Sequence, residues 1–248
     1  LGLSYIVKKE YTKAAGSLAL VKQSEAQKAG LSLIIPYSLF YRAWALYRQG
    51  NFNDAAALFS RIIRNYPKHE LYTKALYFAG WSFYSTGNYE KAIVYFSMLA
   101  ENNPGESLKV KALFFQAKSL YNMDKLDEAK NLFKIIFNKM QKSVFADDAI
   151  FEYADILSRQ GYTDGAAEAY LSLIEVYPRS TLREDALYRR GEVYYSGKMY
   201  ENARDAFYEY RLKFPGGLLV DAALYWGGVS AYHLDEKFGA VLLWEKII

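Results

Sequence analysis

The chain has 248 residues, 52% of them hydrophobic and 23% charged, with 24 tyrosines, five prolines and no cysteine. This is the composition of a folded chain rather than a disordered one, and the lack of cysteine excludes disulfides, thiol nucleophiles and cysteine zinc sites within it. The formal charge of +4 is unevenly spread: residues 1–146 hold 20 Lys/Arg against 10 Asp/Glu, whereas residues 147–248 hold 11 against 17.

The first 37 residues form the least regular stretch. Tyr11-Thr12-Lys13-Ala14 resembles the later phrase Tyr89-Glu90-Lys91-Ala92, while Ala29–Pro36 falls out of register. Residues 1–37 therefore read as a partial or irregular repeat and a connector. From residue 38 onward one pattern recurs six times at a step of 37, with units starting near 38, 75, 112, 149, 186 and 223. Its alanine column is Ala55, Ala92, Ala129, Ala166, Ala203 and Ala240, followed four residues later by Phe59, Phe96, Phe133, Tyr170, Phe207 and Trp244. Upstream lies a small-residue column, Ala43, Gly80, Ala117, Ala154, Gly191 and Gly228. A period between 20 and 50 residues is the mark of a repeat array, so residues 38–248 read as one continuous solenoid with a truncated last unit. Since the chain starts at Leu1, and Ile248 falls by register inside a helix, it is expected to be part of a longer protein.

Within each unit the apolar residues follow helical spacing in two stretches. In the second unit Leu76, Gly80, Phe83 and Tyr84 share one side of a first helix; Gly87 suits a left-handed turn. Ala92, Phe96 and Leu99 share a side of the second helix, which Asn103-Pro104 ends. Gly50, Gly87, Gly161 and Gly197 are expected at the turn of four units, with Asp124 and Asp235 in the others. Pro67, Pro104, Pro178 and Pro215 punctuate unit ends. No stretch alternates with the period of a strand, so the fold class is all-α, built of helical hairpins. The small column lets the paired helices approach closely, with the aromatic of the second helix filling the remaining gap.

The order aliphatic, small residue, aromatic, turn glycine, aromatic, alanine, large aromatic and proline resembles the tetratricopeptide repeat (TPR) family. It is clearest from Asp185 through Leu187, Gly191, Tyr194, Tyr200, Ala203 and Phe207 to Pro215. The period departs from the family's usual 34. The longer period, with phrases such as Val176-Tyr177-Pro178-Arg179-Ser180, is similar to bacterial envelope repeats. These include the lipoprotein of outer-membrane β-barrel assembly and the periplasmic coordinator of the Tol–Pal system. The resemblance implies a right-handed α-solenoid, a periplasmic or envelope-associated setting with the cytoplasm as the alternative, and a non-catalytic role in binding other proteins or peptides.

In such solenoids the first helices line the concave face. Carried onto this sequence, that makes the position-two column Phe40, Tyr77, Phe114, Phe151, Tyr188 and Tyr225 and the position-nine column Tyr47, Tyr84, Tyr121, Ser158, Tyr195 and Tyr232. Between them run Trp44, Trp81, Lys118, Asp155, Glu192 and Val229. The expected partner-binding residues are Trp44, Tyr47, Tyr77, Trp81, Tyr84, Phe114, Lys118, Tyr121, Asp155, Tyr188, Glu192 and Tyr195. The competing reading makes these rings mortar between hairpins, a role suited to tyrosine with its apolar body and polar tip. Groove charge follows the chain, from Lys74, Lys111 and Lys118 to Asp148, Asp155, Asp185 and Glu192. Opposite-charge halves allow self-association, and the acidic half disfavours nucleic acid.

The sequence offers no sign of catalysis. Its two histidines, His69 and His233, have no partners at metal-ligand spacing, no phosphate loop or nucleophile elbow occurs, and no cofactor or metal is implied. No apolar run reaches the ~20 residues that cross a bilayer. Two other readings are a hydrophobic small ligand or glycan in a closed pocket at Trp44, Trp81 and Tyr84, and an architectural subunit of a large ring, motor or secretion assembly.

Overall fold

The computed structural model describes residues 1–102 and 105–247, so the expected stop at Asn103-Pro104 and the register position of Ile248 lie outside the described residues. The described residues form helices and turns. A short hairpin, α1 (Gly2–Val7) and α2 (Tyr11–Ala19), is followed by α3 (Gln23–Lys28). Six longer hairpins succeed it: α4 (Ile34–Arg48) with α5 (Phe52–Asn65), α6 (Tyr72–Ser85) with α7 (Tyr89–Glu101), and α8 (Glu106–Asn122) with α9 (Leu126–Lys139). Then come α10 (Ala146–Arg159) with α11 (Thr163–Val176), α12 (Arg183–Ser196) with α13 (Tyr200–Lys213), and α14 (Val220–His233) with α15 (Lys237–Trp244). The fold is an all-α solenoid of helical hairpins. The chain divides into two compact units, Leu1–Leu132 and Phe133–Ile248. In the first, α2 packs on α4 and each helix from α4 to α8 packs on the next; in the second, the same holds from α10 to α15.

The turn inside each hairpin follows from backbone sterics. Gly87 sits at φ 73°, a left-handed conformation that costs glycine little. Its amide bonds back to Tyr84 O, and the Asn88 amide reaches Phe83 O, so two carbonyls left over at the end of α6 find donors. Left-handed residues recur at Gly50, Asp124, Gly161, Lys198 and Asp235, each 37 after the last when Gly87 is included. The fifth hairpin corrects the sequence expectation: Gly197 has φ −76°, and Lys198, at φ 59°, takes the left-handed place. Gly197 serves a different purpose. A Cβ there would lie 2.6 Å from Thr163 Oγ1, so the glycine admits a side chain from the preceding hairpin.

The connections between hairpins have a shared device. His69 Nδ1 accepts from the Leu71 amide at 3.2 Å, and Ser180 Oγ accepts from the Leu182 amide at 3.1 Å. Each satisfies a donor at the start of the next first helix. The matching position in the following unit is Gly217, which has no side-chain acceptor to offer. Tyr210 Oη replaces it, accepting from Leu219 N at 3.1 Å and donating to Glu184 Oε1 at 2.5 Å.

The small column packs as expected against the aromatic of its own hairpin. A Cβ on Gly80 would lie 2.7 Å from the Phe96 ring, one on Gly191 2.6 Å from Phe207, and one on Gly228 2.3 Å from the Trp244 indole. The facing rings Phe59, Phe96 and Phe207 are fully or almost fully buried. Close packing of this kind penalises an added methyl more than helix propensity rewards it. Gly80→Ala should therefore destabilise the protein by about 1–3 kcal/mol. Gly16→Ala, in α2 with open space around the new methyl, should stabilise it by about 0.5–1 kcal/mol. Opposite signs in urea unfolding would confirm that the glycine column is steric.

Candidate functional site

The face made by the first helices is built from residues spaced three or four apart, which a helix brings onto one side. In the first unit the expected residues do come together, through a column that sequence reasoning passed over. The ring three positions into a repeat, one after the position-two column, packs against the preceding hairpin. Phe78 stacks on Phe59 at 5.5 Å and meets Tyr47 at 5.3 Å and Phe40 at 6.0 Å. Phe115 repeats this with Trp81 at 4.3 Å, Tyr84 at 5.8 Å and Phe96 at 6.0 Å.

The position-nine tyrosines complete the joint. Tyr47 touches Phe52 at the start of its own second helix, at 5.4 Å, as well as Phe78. Tyr84 does the same with Tyr89, at 5.6 Å, and Phe115. In the second unit Tyr195 bridges Tyr200 at 5.7 Å and Trp226 at 4.9 Å. Such ring pairs each contribute roughly 0.5–1.5 kcal/mol beyond their buried area. Phe114 and Tyr188 are buried, Tyr77 and Trp81 partly so. Burial holds the Tyr47 and Tyr77 phenols above their usual range. The buried Trp81 Nε1–H lacks an acceptor in hydrogen-bond geometry, yet it lies near enough to the Tyr77 hydroxyl to favour that group's ionised form.

Trp44 differs from Trp81. It lines an open cleft of about 210 Å³ with Ile6, Phe40, Tyr41, Lys74 and Phe78. The Arg48 guanidinium lies 5.2 Å from its ring and 5.0 Å from that of Tyr11. Further along the same unit Lys111 stands over Tyr77 at 6.0 Å and Lys118 over Tyr121 at 5.5 Å. The first unit thus presents cations laid on rings.

In the second unit Trp226 keeps the ring at the joint with α14, whereas the joint between α10–α11 and α12 is polar. Arg189 occupies the place of the inserted ring, Ser158 that of the tyrosine and Thr163 that of the aromatic opening the second helix. Arg189 pairs with Glu192 at 3.0 Å. Tyr170, the one tyrosine in the phenylalanine column, donates its hydroxyl to Asp155, which stands where the first unit has tryptophan. Burial, then the Asp155 charge, drives the Tyr170 phenol far above its normal range. Burial also raises the Glu192 carboxyl, with Arg189 opposing. Tyr170 is fully buried, so its hydroxyl needs the Asp155 acceptor, whereas the half-exposed Arg189 shares its charge between Glu192 and solvent.

Two profiles of tetratricopeptide repeats match the chain, one over residues 39–107 and one over 148–180 and 185–217, together more than half its length. The chain belongs to the tetratricopeptide repeat family. No curated protein matches it by sequence. Among solved structures it is similar to a TPR protein from Parabacteroides merdae ATCC 43184, at 18% identity and TM-score 0.61, covering 99% of this chain and 89% of that one. The C-terminal part of a TPR repeat-containing protein from Cytophaga hutchinsonii is 12% identical with TM-score 0.72, covering 99% and 92%. MamA is 18% identical with TM-score 0.58, covering 72% and 91%. At these identities the likeness speaks for the fold.

Within this TPR protein the Tyr170–Asp155 pair is testable on its own. A double-mutant cycle of Tyr170→Phe and Asp155→Ala should give a coupling of about 1.5–3 kcal/mol, the range for a hydrogen bond to a charged group. A phenol whose folded pKa exceeds its unfolded value stabilises the fold fully below the ordinary value of 10.0, and that contribution is lost as pH rises above it. Unfolding free energy should therefore fall above pH 10, with a shallower slope in Tyr170→Phe than in wild type.

Proposed function

We propose that this TPR protein is a non-catalytic scaffold that binds partner proteins through the first-helix face and supports assembly of a multi-protein complex. The observation that carries this reading is the Trp44 cleft in the first unit. At about 210 Å³ it falls below the roughly 300–1,000 Å³ of small-molecule sites and suits a single large apolar side chain. Trp81 and Tyr84 line no part of it, since both are taken up by Phe115, and this favours a peptide anchor over a closed hydrophobic or glycan pocket. Arg48 and Lys111 rest on rings and make no ion pair among the described residues, so the favoured segment is acidic, with one bulky apolar residue.

Partner binding by helix-lined grooves uses such anchors, with charge setting orientation and specificity. The acidic second unit supports a protein partner over nucleic acid, whose phosphates it would repel. An envelope setting is part of the proposal and is supported by the similarity of Val176–Ser180 to envelope repeats.

The test is co-purification of the whole protein from its native cell, comparing wild type with Trp44→Ala. Trp44 lies at the cleft, so the fold should survive, as thermal unfolding would verify. A partner in stoichiometric amount should be reduced at least tenfold in the variant. Full retention would move the binding surface to another face.

A further inference from the structure

A second cleft lies on the first unit, away from Trp44, where α3 and its approach from α2 meet α4 and α5. Its volume is about 570 Å³, and its lining includes Lys22, Gln23, Ile35, Leu39, Arg42 and Arg61. The volume falls within the range of small-molecule sites, roughly 300–1,000 Å³. No aspartate or glutamate lines it, and Glu25, the nearest carboxylate in sequence, pairs with Lys22 at 3.1 Å.

The repeat supplies an internal control for the two arginines. In the fifth hairpin the positions corresponding to Arg42 and Arg61 are Arg190 and Glu209, which form an ion pair at 2.9 Å. The first hairpin puts arginine at both. Two guanidinium groups facing one cleft repel each other unless an anion lies between them. Gln23 takes up one donor, since Arg61 Nη2 reaches its Oε1 at 2.5 Å. No hydrogen bond or ion pair holds Arg42 among the described residues. Beneath the charges Ile35 and Leu39 are buried at 4% and 9% exposure, giving an apolar wall beside a cationic one.

We propose that this cleft binds a small amphipathic anion, whose carboxylate or phosphate is held by Arg42 and Arg61 and whose apolar part rests on Ile35 and Leu39. The guanidinium fork matches either oxyanion through two parallel donors. The site is independent of the peptide-binding face, and the polar bond from Gln23 ties α3 into it.

Isothermal titration of the whole protein with octanoate and with octyl phosphate, below their micelle concentrations, tests the proposal, with octanol as the neutral probe. Saturable binding of either anion is expected, and the better of the two identifies the head group. Arg61→Glu is the informative variant, because it places a carboxylate opposite Arg42 as in the fifth hairpin. It should leave the melting temperature unchanged or higher while weakening the anion at least tenfold. If it lowers the melting temperature instead, Arg42→Gln serves as the second variant, with the same loss of binding expected. No binding of either anion, equal binding of octanol, or binding undiminished in a folded variant would overturn the proposal.

Discussion

Within each compact unit, successive hairpins are joined at the side chain three residues into a repeat, which meets the hairpin before it. Phe78 and Phe115 do so as rings, each against a phenylalanine of the preceding second helix and a tyrosine of the preceding first helix. A hairpin cannot bury its apolar face alone, and stacking on a neighbour provides the missing core. The joint therefore decides which rings remain available for binding. Rings recruited into it are mortar; Trp44 stays outside it, edge-on to Tyr11 and beside Arg48 at the open cleft.

The same constraint explains the polar joint of the second unit. Arginine at the inserted position keeps its side chain 54% exposed, so water and Glu192 together satisfy a charge that a closed aromatic cage would strand. Glu192 supplies the counter-charge and Asp155 accepts the Tyr170 hydroxyl. The price is a joint whose strength depends on protonation, where the aromatic joints of the first unit do not. The two units thus carry chemically different side chains on their first helices, one set with cations on rings and one rich in carboxylates.

Much of the fold was legible in the sequence because a strict period exposes columns, and a column of small residues facing a column of rings has one steric meaning. Gly80 and Phe96 show it, as do Gly87 and its turn. The turn glycine at 197 misled, because composition cannot distinguish a glycine needed for positive φ from one needed for space beside Thr163. The candidate site was less legible. Columns record what recurs within a repeat, whereas the joint pairs positions of two successive repeats, so Phe78 and Phe115 drew less notice than the tyrosines they hold. A search for polar residues that change together across adjacent repeats would have found Asp155, Tyr170 and Arg189.

The central claim, that the inserted ring is the joint between hairpins, is tested most directly by hydrogen exchange on Phe78→Ala. The account predicts that amides of both the α4–α5 and the α6–α7 hairpins lose protection together, since the ring belongs to the interface they share. Loss confined to α6, or no change, would make Phe78 an ordinary groove residue and contradict the account.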